Sequence, residues 1–187
     1  MIKTALVLVD IQNDYFPGGS NELHKSREAA ARARSALETF RTGKLPVIHV
    51  RHISLQSGAT FFLPGTEGAE IYAEVAPAAG EPVAIKHKPD SFLETELDGL
   101  LSAAGAECLV ICGMMSHMCI DTTVRSAKAR GYEVVVLHDA CATKALRWEG
   151  KEIPAETVHA AFMSALSSTF AEVVASERLS EVLERGK

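Results

Sequence analysis

The chain has 187 residues, 47% of them apolar and 23% charged, with a net charge of −5 and an isoelectric point near 5.8. That length suits one substantial core and is short for two, and the acidic balance argues against nucleic acid or an anionic membrane as partner, since the basic clusters at 86–88 and 125–130 are too short to reverse it. No apolar run approaches the roughly 18 residues that span a bilayer, and the opening segment lacks the full apolar stretch and cleavage site of a signal peptide, so a cytoplasmic location is expected.

In chain order, apolar runs rich in β-branched residues alternate with segments of helical period. A strand is expected at 4–9, ending at Asp10, followed by a helix over 26–41 and a strand at 46–51. A long irregular stretch over 52–68 leads to a strand at 82–86, then a helix over 92–104 and a strand at 107–112. Beyond these come a helix over 119–130, a strand at 133–138, a helix over 155–166, a strand at 170–175 and a last helix over 176–184. Gly43, Gly105 and Gly131 stand where helix C-caps belong, and Ser176 followed by Glu177 is a candidate N-cap. Continuous apolar strands alternating with helices imply parallel strands covered on both faces. The expected architecture is therefore a three-layer α/β/α, doubly wound six-stranded parallel sheet, forming a single domain over 1–187.

Four cysteines in a chain of this size are not a disulfide framework. Cys108 and Cys112 share one face of a strand and read as core residues, and neither they nor Cys141 has zinc-binding spacing. Cys119 differs, because it follows a buried strand and a tight turn and stands at the start of a helix. There the helix dipole favours a thiolate, and free N–H groups can receive an oxyanion. Ligands of such sheets bind at the carboxyl ends of the strands, where Asp10, Lys86 and Cys119 all fall. Taken singly, the aspartate reads as a turn cap and the lysine as a solvated strand end.

The surrounding residues form three blocks. Val9-Asp10-Ile11-Gln12-Asn13-Asp14 resembles the D-x-Q-x-D/N opening of the isochorismatase-like cysteine hydrolases. Lys86 to Phe92, followed by Thr95 and Leu97, resembles their K-x5-F-x2-T-x-L block. Gly113 to Cys119, followed by Thr123, Arg125 and Ala127, resembles their G-x5-C and T-x-R-x-A helix, and Asp139-Ala140 fits as well. The resemblance covers about 5–143 and implies a Rossmann-like sheet in the order 3-2-1-4-5-6. It also implies a catalytic triad of Asp10, Lys86 and Cys119, with an oxyanion hole from the backbone N–H groups of Met115 and Cys119. A cis peptide at Met114–Met115 and a homodimer or larger homo-oligomer are further expectations. Lys88 shares a strand face with Lys86 and is an alternative, although spacing to Phe92 favours Lys86. The implied order places the third strand two spacings, about 10 Å, from the first, so its end must bend inward for the lysine to reach Asp10.

Within that family, true isochorismatases hydrolyse a vinyl ether and typically lack this cysteine, so its presence favours acyl chemistry at C–N bonds. Nicotinamidases carry an Asp-x-His metal site after the second strand. Here the stretch reads His49-Val50-Arg51-His52-Ile53-Ser54, with no acid at that place, so neither metal nor cofactor is expected. Phe16, His52, Phe62, Phe92 and His117 are the expected substrate-binding side chains. The reading is a cysteine-dependent amidohydrolase acting on a small amide, ureide or lactam through an acyl-cysteine. The alternative is a non-catalytic small-molecule or nucleotide-binding module on the same scaffold.

Overall fold

The computed structural model of the protein describes residues 3–185. Strand β1 (Thr4–Val9) is followed by α1 (Ser26–Thr42), β2 (Val47–His52), β3 (Val83–Lys86), α2 (Leu97–Ala104) and β4 (Cys108–Met114). A π-helical turn over Ser116–Ile120 then runs into α3 (Asp121–Ala129), β5 (Glu133–Ala142), β6 (Leu146–Trp148) and β7 (Lys151–Ile153). The chain closes with α4 (Ala155–Thr169), β8 (Glu172–Val174) and α5 (Leu179–Arg185). Six strands form one sheet in the order β3-β2-β1-β4-β5-β8, and every pairing in it is parallel. This is the doubly wound sheet that the alternating pattern implies. No helix among the described residues is long and apolar enough to cross a membrane.

Every side chain of β1 and β4 is buried, as their unbroken apolar runs require of strands covered on both faces. These two strands meet where the strand order reverses. Val9 pairs with Gly113 there, and a Cβ on Gly113 would overlap the Val9 carbonyl, so only glycine lets β4 lie against β1 at this level. Helix α1 turns Ala29, Ala30, Ala33, Ala36, Leu37 and Phe40 inward. The small alanines, spaced three and four apart, let it settle closely on the sheet.

Several local expectations are corrected. The helix expected from Phe92 begins at Leu97, because Asp90 and Ser91 bond into α3 and bend the preceding residues into a turn. Cys119 lies inside the π-helical turn and not at the first residue of α3. Gly105 is a left-handed C-cap (φ 65°) as expected, whereas at the end of α1 Lys44 takes the positive φ and Gly43 does not. Ser176 opens a 3₁₀ turn and gives its N–H and hydroxyl to the Asp139 carboxylate, both at 2.7 Å, in place of capping. The β6–β7 hairpin lies in a stretch with no expected element, and it turns on Glu149-Gly150, both at positive φ.

Strand β3 is short and depends on Glu81, two residues before it. The Glu81 carboxylate accepts two hydrogen bonds from Arg41 at 2.7 Å, one from the Ala78 N–H at 2.8 Å, and contacts His49 Nε2 at 3.0 Å. Together these tie α1 and β2 to the start of β3. The Arg41 bonds, opposed by burial, hold its pKa down to about 2. Its stabilising contribution is therefore complete above the ordinary carboxylate pKa and is lost as pH falls towards 2. Glu81→Gln should lower stability by about 2 kcal/mol at neutral pH. In urea unfolding measured across pH, the gap to the parent should close between about pH 4.5 and 2; a gap independent of pH would contradict this account.

Candidate active site

Asp10 follows the last residue of β1 with φ 51°, a left-handed turn that aspartate tolerates better than most side chains. Lys86 ends β3 and pairs with His52 of β2, while Val9 of β1 lies level with Val50. Lys86 thus stands two residues further out than Val9, past the end of the intervening strand, and needs no passage beneath it. Its Nζ lies 2.8 Å from Asp10 Oδ2, with both side chains completely buried. The chain after β3 folds back so that the carbonyls of Lys88 (3.0 Å) and Pro89 (3.3 Å) accept from the same ammonium. This is the inward bend that the sequence could not supply. Lys88 itself is exposed, so Lys86 is the lysine brought against Asp10.

Cys119 is 6% exposed, and one ligand atom from each of Asp10, His52 and Cys119 falls within 4.8 Å of the others. The Met114–Met115 peptide is cis. The Met115 carbonyl accepts from the N–H groups of Met118 (3.1 Å) and Ile120 (3.2 Å), which forms the π-helical turn that presents the cysteine. That turn is held from outside by Ser116, whose hydroxyl lies 2.8 Å from His159 Nδ1 and 3.3 Å from the Ala142 carbonyl.

The electrostatics correct one expectation. Burial, reinforced by the Asp10 charge and only partly offset by Lys86, pushes the Cys119 thiol up to about 12. That direction favours the thiol over the thiolate at rest. Burial by itself would lower Lys86, but the Asp10 charge and Cys119 outweigh it and raise the lysine above its usual range, so it stays an ammonium. Asp10 is completely buried, with the Lys86 ammonium 2.8 Å from its Oδ2 and the Cys119 thiol in the same cluster. A carboxylate set beside a thiol in this way has the geometry to receive its proton. Asp10, His52 and Cys119 are also the residues that could hold a soft cation. They fit that role poorly, since the Lys86 ammonium already sits against Asp10 and against His52 Nδ1 (3.3 Å).

Of the expected lining residues, His52 and Phe62 reach the cluster, their rings 5.9 Å apart. The contacts of the other three run to other residues. Phe16 stacks on Tyr72 at 3.6 Å. Phe92 lies under the Arg130 guanidinium (4.5 Å) and beside Tyr132 (6.2 Å), at the opposite end of α3 from Cys119. His117 turns to Thr143 Oγ1 (2.6 Å) and the Phe162 ring. A separate cleft of about 320 Å³ between α1, β5 and α4, lined by Arg32, His138 and His159 among others, contains none of the triad.

Sequence reasoning gave Gln12 and Asp14 no role beyond their place in the first block, and read Asn13 as orienting Asp10 or capping a turn. Gln12 donates to the carbonyls of His52 (2.9 Å) and Ala69 (2.8 Å) and accepts from the His52 N–H (2.8 Å). Asn13 donates to the Glu67 carbonyl. Asp14 accepts from the N–H groups of Phe62 (2.6 Å) and Ser20 (3.1 Å). These residues pin both ends and the middle of the long stretch after β2, making it a fixed wall. Tyr15, next in sequence, is buried with its ring 4.6 Å from Phe62. The second block does similar work: Ser91 bonds Thr123 at 2.7 Å and Asp90 bonds Ser126 at 2.8 Å, linking the segment after Lys86 to α3.

Comparison with known proteins agrees with the fold. A family model described as "Isochorismatase domain" matches residues 4–178. The isochorismatase family protein YddQ of Bacillus subtilis (strain 168) is 51% identical over 176 residues, covering 94% of this chain and 98% of that one. A crystal structure of an isochorismatase hydrolase from Oleispira antarctica superposes with a TM-score of 0.92 at 48% identity, covering 95% of each chain. N-carbamoylsarcosine amidase from Thermoplasma acidophilum superposes with a TM-score of 0.80 at 28% identity, covering 94% of this chain and 98% of that one.

The wall can be tested at Gly68, where a Cβ would overlap the Asp14 carboxylate. Gly68→Ala should displace Asp14 from the Phe62 N–H, lower stability by about 1–3 kcal/mol, and speed hydrogen exchange at the Phe62 and Ser54 amides at least tenfold. Unchanged exchange there would show that Asp14 does not hold the loop.

Proposed function

This chain belongs to the isochorismatase family of hydrolases, and from that premise we propose that it is a cysteine-dependent amidohydrolase cleaving the C–N bond of a small amide, ureide or lactam through an acyl-Cys119 intermediate. The observation that carries the reading is the convergence of a buried carboxylate, a buried ammonium and a buried thiol at the ends of three strands. The likeness to an amidase lends support.

In this mechanism Asp10 takes the Cys119 proton as Sγ attacks the carbonyl carbon, because the thiol is too weakly acidic to ionise unaided. The backbone N–H groups of Met115 and Cys119 receive the oxyanion. Collapse of the tetrahedral species expels the amine, which leaves with the proton held on Asp10. Water then attacks the acyl-cysteine while Asp10 accepts its proton, and the acid departs as the thiol reforms. Lys86 fixes the position of Asp10 from the end of β3 through the 2.8 Å ion pair.

A panel of small amides, ureides and lactams assayed for ammonia release, with intact-mass detection of acyl adducts for substrates that release none, tests the proposal. The parent protein should turn over at least one member and carry its acyl group on Cys119. Cys119→Ala should abolish both signals, and Asp10→Asn and Lys86→Met should each reduce turnover about a thousandfold or more. Turnover surviving in Cys119→Ala would remove the nucleophile from the account. Ligand binding without turnover would favour the binding-module alternative.

A further inference from the structure

The turn that carries Cys119 is tied to the rest of the molecule by two imidazole–hydroxyl pairs that take no part in the proton transfers. Ser116, completely buried, places its hydroxyl 2.8 Å from His159 Nδ1 and 3.3 Å from the Ala142 carbonyl. One residue on, His117 Nδ1 lies 2.6 Å from Thr143 Oγ1, and its ring packs edge-on against Phe162 at 6.0 Å. His159 and Phe162 stand three residues apart on α4 and so share one helix face. Ala142 ends β5 and Thr143 follows it. The turn is therefore gripped by one face of α4 and by the end of β5.

Of the two ties, that between Ser116 and His159 acts closer to the reacting groups. Ser116 is joined to Met115, whose N–H is an oxyanion donor in the mechanism above and whose carbonyl accepts from Met118 and Ile120 to close the turn. A single torsion separates the Ser116 hydroxyl oxygen from its own backbone, so holding the hydroxyl holds the chain between Met115 and Cys119. Whichever partner supplies the hydrogen between Oγ and Nδ1, the bond is made. Burial, with the His138 ring 6.4 Å away, lowers the His159 pKa, so the ring is neutral at neutral pH. The same ring lines the cleft of about 320 Å³ that contains none of the triad. His159 therefore works on the turn from outside the active site.

We propose that His159 is a positioning residue for the oxyanion hole, holding the Met115 and Cys119 N–H groups in place through Ser116. The inference rests on the cysteine-hydrolase reading and adds to it a residue on a separate helix. The effect of the tie is selective. When Sγ attacks an ester or amide carbonyl, a tetrahedral oxyanion forms, and the rate depends on where those donors point. Iodoacetamide reacts at a saturated carbon: the S–C bond forms as the C–I bond breaks, iodide leaves, and no oxyanion appears. That reaction needs only the thiol and a base for its proton. Loss of the tie should slow acylation of Cys119 and spare its alkylation.

p-Nitrophenyl acetate and iodoacetamide test this on the whole protein. The ester transfers its acetyl group to Sγ and expels p-nitrophenolate, while the thiol proton passes to Asp10. Its first turnover, read as p-nitrophenolate release above that of Cys119→Ala, gives the acylation rate. Mass spectrometry of the Cys119 peptide gives the alkylation rate. His159→Leu should lower the ratio of acylation to alkylation about tenfold or more. Ser116→Ala, which removes only the hydroxyl, should lower it similarly, and the double variant should fall no further than either single one. His159→Asn, whose amide can take the place of Nδ1, should recover most of the parent ratio. Thermal melts identify any variant that fails to fold, and Ser116→Ala reads the same tie from its other end. A ratio unchanged in His159→Leu and Ser116→Ala, or equal losses in the Leu and Asn variants, would overturn the positioning role and leave the hydrolase reading intact. No Cys119-dependent release from the ester in the parent protein would instead fail that reading, and the inference with it.

Discussion

The buried contact between Lys86 and Asp10 is the constraint around which the molecule is organised. Removing two opposite charges from water carries a desolvation penalty of several kcal/mol per ion, recovered only where geometry and additional polar partners are good. Here the ammonium finds those partners in the carbonyls of Lys88 and Pro89 and in His52 Nδ1, while Asp10 has the ammonium at 2.8 Å and Cys119 nearby. The pair holds a carboxylate rigidly at the end of β1, beside the turn that carries Cys119.

Other parts of the fold serve this arrangement. The reversal of strand order brings β1 and β4 together through Gly113, so Asp10 and the Cys119 turn emerge side by side. Glu81 sets the start of β3, and so the level at which Lys86 leaves the sheet. Ser91 and Asp90 tie the segment beyond Lys86 to α3, coupling the lysine to the helix that follows the cysteine. On the other side Gln12, Asn13 and Asp14 fasten the wall that contains His52 and Phe62. The family motifs are thus mostly scaffolding: one residue in each block belongs to the proposed triad, and its neighbours in sequence hold that residue in register.

Much of this was legible in the sequence because it rests on local pattern. Unbroken apolar strands alternating with helices gave the parallel sheet, and the three blocks singled out Asp10, Lys86 and Cys119. What was not legible depended on side-chain direction at a distance. Phe92 and His117 lie near the blocks, but their rings turn to Arg130 and Thr143, and no spacing rule foretells that. The thiolate expectation failed because helix position was weighed without burial, and burial dominates the Cys119 environment. Gln12 and Asp14 were visible as motif letters, yet their partners lie some forty to sixty residues away. The hairpin turn at Glu149-Gly150 was within reach of turn chemistry and was passed over.

The account's central claim is that Cys119 rests as a buried thiol and is ionised only by proton transfer to Asp10. Thiolate absorbance near 240 nm, titrated as the difference between the parent protein and Cys119→Ala, measures this directly. The account predicts no difference signal at neutral pH, with ionisation emerging only towards pH 12. A difference signal already complete at pH 7 would contradict it and assign Asp10 a different task.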